Sequence, residues 1–304
     1  MSKVRKKFKT KNKYLGIKSR QALVFYLCVV TLPVVQFCIF YIGVNAFSLK
    51  LAFQKFDPIA GKYVWNGLGH FKDFFVNIGT DPRFGYALKN SATLWLIAEG
   101  INLPCCLLIS YYLFKKYLLH KVYRVFLFIP AMIPSIVLVT VFQYTLIHFF
   151  PTIGLPNYFL EDSTKFVAAL IYGIWVGIPG SMLLYTSAMC GTSKEILEAA
   201  VMDGANEMQQ LWHVVIPHIY PTVTIFFATS IPSLFNSSGS ILEFFGGGAP
   251  KEATTMGYLL TLHTLSGDVG YPITIAYGLI ITSISLPIVI ILRKLFRKYG
   301  PSED

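Results

Sequence analysis

Few residues of this 304-residue chain have a type and spacing that suit covalent or metal chemistry. Its five cysteines all lie in apolar segments, form no CxxC pair, and have no nearby histidines at metal-ligand spacing. No phosphate-binding loop of the GxxxxGK[ST] type occurs, so we expect the chain not to hydrolyse nucleotide by itself. The sequence also lacks a paired acid, base or metal cluster, which argues against an enzyme and against a metal or cofactor bound by this chain.

One acid, Glu99, lies inside an otherwise uncharged apolar run at 91–114. An acid within a membrane span normally marks a proton or ion pathway, so an ion-coupled carrier is one interpretation. The other is structural: the carboxyl faces a bundle interior, or lies near a kink before Pro104. One carboxylate alone gives little support for a proton relay, and both interpretations stay open.

The elements that carry these residues are predicted to be membrane helices. The chain is 54% hydrophobic and only 13% charged, which is too apolar for an ordinary soluble domain. Besides 91–114, five apolar runs contain no Asp, Glu, Lys or Arg, at 23–47, 125–147, 166–190, 219–241 and 271–292. Each is long enough to cross about 30 Å of hydrocarbon as a helix, which predicts an all-α membrane protein with six transmembrane helices.

The distribution of Lys and Arg predicts that both termini are cytoplasmic. Eighteen basic residues fall in the segments 1–22, 115–124, 191–218 and 293–304, against eight in the other connections. We therefore expect a cytoplasmic tail at 1–22, an extracellular loop at 48–90, a core of five helices at 91–292 and a cytoplasmic tail at 293–304. The first tail has nine basic residues and no acid, which favours anchoring to lipid headgroups over nucleic-acid binding.

The cytoplasmic connection at 191–218 is acidic in an otherwise basic chain. It holds four acids and one lysine, a net charge of minus three against plus eleven overall. Thr192 and Glu195 have the spacing of a capping box, which predicts a helix start, and Gly204 can end that helix. A second short helix is expected from about Asn206 towards Pro217. A solvated amphipathic connection and a docking surface both fit this composition.

The same stretch resembles the cytoplasmic EAA loop of permease subunits in binding-protein-dependent ABC importers. The family pattern is EAA, three residues, G, nine residues, then I-x-L-P, and "EAAVMDGANEMQQLWHVVIP" matches it from Glu198 to Pro217. "WVGIPGSM" at 175–182, "FFGGGAP" at 244–250 and "VWNGLGHFKDFF" at 64–75 are similar to other segments of the maltose-type sugar permeases. These matches span most of the chain.

The resemblance implies a type I ABC importer. It would combine this permease with a second homologous permease, two cytosolic ATPase subunits that bind ATP and Mg, and an extracellular solute-binding protein, in the bacterial plasma membrane. The EAA loop would form the coupling helix that docks on the ATPase. The coupling residues carried over from the motif are Glu198, Ala199, Ala200, Asp203, Gly204, Ala205 and Pro217.

The maltose-type resemblance implies a carbohydrate substrate, and an oligosaccharide in particular. The positions that match substrate contacts of that family are Gly177, Gly180, Ser230, Ser233, Leu234 and Ser237. Gln143, Tyr185 and Asn236 are further polar candidates on predicted spans, although all of these positions are equally explained by helix packing. Gly180 stands where the family member that holds maltose has a tyrosine, which suggests a roomier cavity.

Two alternatives remain from the sequence. The chain could be a stand-alone membrane protein, either a secondary carrier that uses Glu99 or a membrane-embedded enzyme. It could also be the permease subunit that does not touch the sugar, with the partner subunit holding it. The EAA loop favours the importer, because a carrier has no need of an ATPase docking site.

Overall fold

The computed structural model describes the backbone of residues 20–301 and side chains from residue 24 onward. Nearly all of the predicted basic tail, and with it the proposed lipid anchor, lies outside these residues. The chain divides into two compact units, Met1–Leu51 and Ala52–Asp304.

The first unit holds one long apolar helix. It consists of α1 (Arg20–Gln36), a π-helical stretch (Phe37–Gly43) and the start of α2 (Val44–Ala52). From Val24 to Ala52 the helix has a mean hydropathy of 2.3, and it is long enough to cross a membrane.

The second unit is helical apart from one hairpin. The antiparallel strands β1 (Gln54–Asp57) and β2 (Lys62–Trp65) pair Gln54 with Trp65. The helices that follow are α3 (Gly69–Thr80), α4 (Pro82–Ile97), α5 (Leu103–Phe114), α6 (His120–Met132), α7 (Ser135–Tyr144), α8 (Phe150–Thr152), α9 (Asp162–Met189), α10 (Lys194–Met202), α11 (Glu207–Gln210), α12 (Ile216–Ser230), α13 (Ser233–Asn236), α14 (Ile241–Phe245), α15 (Met256–Leu265) and α16 (Gly270–Tyr299).

Six stretches of the described chain are long and apolar enough to span a membrane. They are Val24–Ala52, Pro82–Phe114, Ser135–Thr152, Asp162–Met189, Glu207–Ser230 and Gly267–Tyr299. Four of them join helices through π-helical stretches, at Phe37–Gly43, Ala98–Asn102, Thr145–Phe149 and Leu211–Val215. The predicted number of spans and the all-α membrane fold are confirmed.

Two predicted runs differ from the observed helices because of proline. The run 125–147 is not one helix, since α6 ends at Met132 and α7 begins at Ser135 after Pro134, whose ψ of 134° is not helical. The run 219–241 extends past the end of α12 at Ser230, where Pro232 precedes the short α13. The fifth span gains residues at its other end, because it begins at Glu207.

Buried side chains of the second unit form three clusters, one of which includes residues of the acidic connection. In that cluster, Met182 and Met189 of α9 pack with Leu211, Val215 and Ile219. Lipid tails are as apolar as these side chains, so close packing and buried hydrogen bonds hold such helices together. One of these bonds runs from the Ser110 hydroxyl of α5 to the Met182 carbonyl of α9, at 3.0 Å.

Candidate functional site

The acidic connection begins with a capped helix, although the cap differs from the predicted one. The side chain of Ser193, not Thr192, accepts the Ile196 amide at 3.3 Å, and α10 follows from Lys194. The Thr192 hydroxyl is instead buried without a hydrogen-bond partner among the described residues. The prediction of a Thr192–Glu195 capping box was therefore wrong by one residue, because Ser193 offers the same hydroxyl one position closer to the helix.

Gly204 ends α10, as the sequence predicts. Its φ of +81° lies in the left-handed region that glycine adopts without steric cost. The Gly204 amide donates to the Val201 carbonyl at 3.0 Å and the Ala205 amide to the Ala200 carbonyl at 2.9 Å. These two bonds are the Schellman pattern, so the turn after α10 is fixed by backbone geometry.

The two faces of α10 differ in exposure. Glu198, Ala199 and Met202 are exposed and share one face, and Met202 is 87% exposed. On the opposite face, Leu197 packs against the buried cluster that contains Met182 and Met189. Ala200 lies on the same face as Leu197 and is half-buried. Ala199 is thus exposed, whereas the adjacent Ala200 is half-buried. Asp203 and Gly204 are exposed at the end of the helix.

A second capped helix leads directly into the fifth span. The Asn206 side chain accepts the Gln209 amide at 2.9 Å, and the Gln209 side chain accepts the Asn206 amide at 2.8 Å, which is a complete capping box. The helical run then continues to Ser230. Pro217 lies in the first turn of α12, inside this continuous run, which begins ten residues earlier at Glu207. The π-helical turn just before it, at Leu211–Val215, already departs from regular α-helical bonding.

A polar cluster ties this connection to the end of α5. The Lys115 ammonium lies 3.2 Å from the Glu207 carboxylate and donates to the Gln210 side chain at 2.6 Å. The Tyr111 hydroxyl donates to the same carboxylate at 2.7 Å. Gln210 is buried, and its amide donates to the Ala205 carbonyl at 2.9 Å. Burial, with a contribution from the Glu207 carboxylate, raises the pKa of the nearby Tyr117 to about 12.

A cavity of about 340 Å³ opens among the second, fourth and fifth spans. The π-helical turn Ala98–Asn102 supplies one part of its wall, and such turns occur frequently at functional sites. The side chains and backbone that line it are those of Ala98, Glu99, Asn102, Leu103, Cys106, Gly177, Ser181, Tyr185, Phe226, Thr229 and Ser230. A second cavity of about 200 Å³ shares Ala98, Asn102 and Gly177 with it.

The structure brings five of the nine predicted substrate-pathway residues to these cavities. The larger cavity is lined by Gly177, Tyr185 and Ser230, and the smaller one by Gly177, Ser233 and Ser237. The remaining four are not among the lining residues of either cavity, and they are Gly180, Leu234, Asn236 and Gln143.

Two of the polar candidates already have partners in the fold. The Ser230 hydroxyl accepts the Trp95 indole N–H at 3.0 Å and donates to the Phe227 carbonyl at 2.9 Å. The Gln143 amide donates to the Phe244 carbonyl at 2.9 Å, which holds the end of α14. Helix packing therefore accounts for Gln143, as the sequence allowed.

Gly177 is required by a close approach of two helices. A Cβ at this position would lie 2.2 Å from the Asn102 amide nitrogen. That nitrogen donates to the Gly173 carbonyl at 3.2 Å, so Asn102 crosses from the second span to the fourth. At Gly180 a Cβ would meet nothing within 4 Å. The WxGxP segment thus shapes the cavity at its first glycine by admitting the side chain of a neighbouring helix.

Sequence reasoning missed Asn102 and Lys115. Asn102 places a polar amide side chain in an apolar run, three residues from Glu99. A polar residue in a predicted membrane span is a signal that the sequence itself contains. Lys115 counted only as a basic residue at a span end. Its partners Glu207 and Gln210 are more than ninety residues away, so no local pattern reveals them.

Comparison with known proteins identifies a family model and several relatives that match the chain. The model of the family described as "Binding-protein-dependent transport system inner membrane component" matches residues 104–300. The polygalacturonan/rhamnogalacturonan transport system permease protein YteP of Bacillus subtilis (strain 168) is 25% identical over 96% of this chain and 93% of that protein. The multiple sugar-binding transport system permease protein MsmF of Streptococcus mutans serotype c (strain ATCC 700610 / UA159) is 26% identical over 83% of this chain and 92% of that protein.

A solved structure shares the fold. It is described as a bacterial ABC transporter involved in the import of the acidic polysaccharide alginate, and it aligns with a TM-score of 0.73 at 19% identity over 91% of this chain and 96% of the other. The predicted resemblance, a non-enzymatic permease of a binding-protein-dependent ABC importer, is confirmed by the family and its members. The family model covers well over half of the residues, and the chain therefore belongs to the binding-protein-dependent transport system inner membrane components, as a multi-pass permease subunit.

Proposed function

We propose that this permease imports a carbohydrate, an oligosaccharide, through an ATP-driven complex. The complex pairs it with a second homologous permease, two cytosolic ATPase subunits that hold ATP and Mg, and an extracellular solute-binding protein. The observation that carries the proposal is the EAA sequence on α10, an exposed helix held between a serine cap and a Schellman turn. The relatives YteP and MsmF, which are permeases of polygalacturonan/rhamnogalacturonan and multiple sugar transport systems, support the carbohydrate substrate.

The exposed face of α10 is suited to dock on an ATPase subunit. Glu198 and Asp203 offer carboxylates for charge-assisted contacts, Ala199 permits close approach, and Met202 adds an adaptable apolar contact. Ala200, Ala205 and Pro217 are half-buried and support this surface from behind. With the connection in the cytoplasm, both termini of the chain are cytoplasmic as well.

Motion at the docking surface reaches the membrane through two rigid links. One is the continuous helix from Glu207 to Ser230, whose last residues line the larger cavity. The other is the polar cluster of Lys115, Glu207, Tyr111 and Gln210, which joins the same helix start to the end of α5. Movement of the ATPase subunits would thus displace the second and fifth spans together, and these spans form two walls of the cavity.

The cavity is suited to sugar by its mixture of polar groups and rings. Tyr185, Ser181 and Asn102 provide hydroxyl and amide groups, and Phe226 provides an aromatic ring beside Tyr185. For this reason we assign the sugar contact to this subunit rather than to its partner alone. Membership of the family leaves a stand-alone carrier that uses Glu99 without support.

Reconstitution in liposomes tests the proposal. The chain is reconstituted alone, with the second permease, and with the second permease, the ATPase subunits and the binding protein together. We expect ATP-dependent uptake of an oligosaccharide from a panel of neutral and acidic glycans only with the full set. Uptake by the single chain, or stimulation of the full complex by amino acids or ions but by no glycan, would contradict the proposed function.

A further inference from the structure

Glu99 is the one residue with a formal charge among the eleven described residues that line the larger cavity. The lining contains no Lys, Arg or His, so the carboxylate has no cationic partner within the cavity wall. Glu99 is half-buried, in the π-helical turn of the second span. An unpaired acid within a membrane span is costly to maintain, which makes it a candidate for function.

A second acceptor lies three residues away. The Asn102 side-chain oxygen is buried and accepts no hydrogen bond from any described residue, while its amide nitrogen is held by the Gly173 carbonyl. An ionised carboxylate is also only an acceptor. The Glu99 carboxylate therefore presents acceptor oxygens to whatever enters the cavity, and a ligand has to supply donors.

Sugar hydroxyls are donors that suit such a wall. A vicinal pair of hydroxyls can donate to both oxygens of a carboxylate. The carboxylate of a uronic acid cannot do so, because at neutral pH it is acceptor-only and carries the same sign of charge as Glu99. Two like charges in a cavity between helices interact far more strongly than in water.

We propose that Glu99 makes this cavity selective for neutral glycans and excludes uronic-acid glycans. The proposal rests on the proposed function, since it assigns the charge class of the substrate at the same cavity. It separates this permease from the polygalacturonan/rhamnogalacturonan permease YteP and from the structurally similar transporter of the acidic polysaccharide alginate. Glu99 would thus be a specificity residue that contacts the sugar, rather than a proton carrier.

The test measures glycan binding to the purified complex of both permeases and the ATPase subunits. The binding protein is left out, so that its own selectivity does not enter. The probes are labelled trisaccharides in matched pairs: galactotriose against trigalacturonate, and xylotriose against the same chain bearing one glucuronate. We expect at least one neutral member to bind about tenfold or more tightly than its acidic counterpart. In Glu99→Gln the ratio should fall below about threefold, chiefly through tighter binding of the acidic member.

Two variants control for charge and for general damage. Glu99→Asp keeps the negative charge and should retain the preference for the neutral member. Glu161→Gln makes the same chemical change at an exposed position before α9 and should leave both affinities unaltered. Glycan-stimulated ATPase activity of the full complex with its binding protein is measured in parallel.

Each outcome decides the inference. An unchanged neutral-to-acidic ratio in Glu99→Gln, a wild-type preference for the acidic member, or no binding of any neutral probe would overturn it. If glycans still stimulate the ATPase in those cases, the proposed function stands and only the role of Glu99 fails. If no glycan stimulates the full complex, the proposed function itself fails.

Discussion

The acidic connection takes all of its caps and turns from one continuous segment, 191–218, whereas the larger cavity takes its wall from three segments of the chain far apart in sequence. In the loop, each cap and turn joins residues within five positions of one another, as at Ser193, Gly204 and Asn206. In the cavity, Asn102 bonds to Gly173 and Trp95 to Ser230, across 71 and 135 positions.

From this difference we infer which activity of the complex a substitution in each region should change. A change in the loop disturbs a local hydrogen-bond pattern at the surface, so we expect it to separate ATP hydrolysis from transport while the spans stay inserted. A change in the cavity disturbs contact between helices, so we expect it to alter the response to sugar. Four substitutions test this difference between the acidic connection and the cavity, and they are given in order of decreasing effect.

Gly204→Pro should give the largest effect. Proline fixes φ near −65°, whereas Gly204 has a φ of +81° and donates its amide to Val201. The turn after α10 cannot form, so we expect at least a tenfold loss of glycan-stimulated ATPase activity in the reconstituted complex, with normal membrane insertion. Gly204→Asn is the matched control, because asparagine tolerates this conformation. Equal stimulation in both variants would show that the turn does not couple.

Gly177→Ala tests the cavity side of the comparison. The new Cβ would lie 2.2 Å from the Asn102 amide nitrogen, so Asn102 must leave its bond to the Gly173 carbonyl. We expect a several-fold loss of glycan stimulation, with basal ATP hydrolysis unchanged. Gly180→Ala in the same helix is the control, since its Cβ meets nothing within 4 Å. A loss of basal hydrolysis in Gly177→Ala would break the proposed separation between the two regions.

Lys115→Met tests the polar cluster that links the two regions. The Glu207 side chain is 56% exposed, so the ion pair itself contributes only about 0.5 kcal/mol, with a further loss from the Gln210 bond. We expect a two- to fivefold loss of glycan-stimulated hydrolysis. A double-mutant cycle with Glu207→Gln should give non-additive effects. Strict additivity would mean that the two side chains act independently.

Substitution of His263 should have the smallest effect. It also serves as a control, because His263 belongs neither to the acidic connection nor to the lining of the larger cavity. It lies in α15, where burial lowers the pKa of the imidazole below its usual 6.5. The unfolded chain then binds the proton more readily, so stability should fall as the pH drops through 6.5 towards the folded pKa. His263→Gln should reduce this acid sensitivity of the thermal unfolding midpoint, while exposed His213→Gln should leave it as in the wild type. Identical pH profiles for all three proteins would contradict the prediction.

The sequence by itself determined the six spans, the all-α fold and the two short helices of the acidic connection. Hydrophobic runs report burial in lipid directly, because a membrane span needs about twenty apolar residues wherever its neighbours lie. Gly204 and the Asn206 helix start were predictable for a related reason, since caps and turns are made within a few residues. The one-residue error at Ser193 arose because Thr192 and Ser193 are adjacent hydroxyl residues, and either type can cap a helix start.

Only the tertiary structure decided which polar residues face the cavity. Ser230 and Gln143 look alike as isolated polar positions, yet one lines the cavity and the other holds the end of α14. Pro217 matches the family motif, yet it lies inside a helix that begins ten residues earlier, at Glu207. Asn102 meets Gly177 because two helices approach so closely that a Cβ at Gly177 would lie 2.2 Å from the Asn102 amide nitrogen. Such an approach depends on packing between distant segments, which no local spacing encodes.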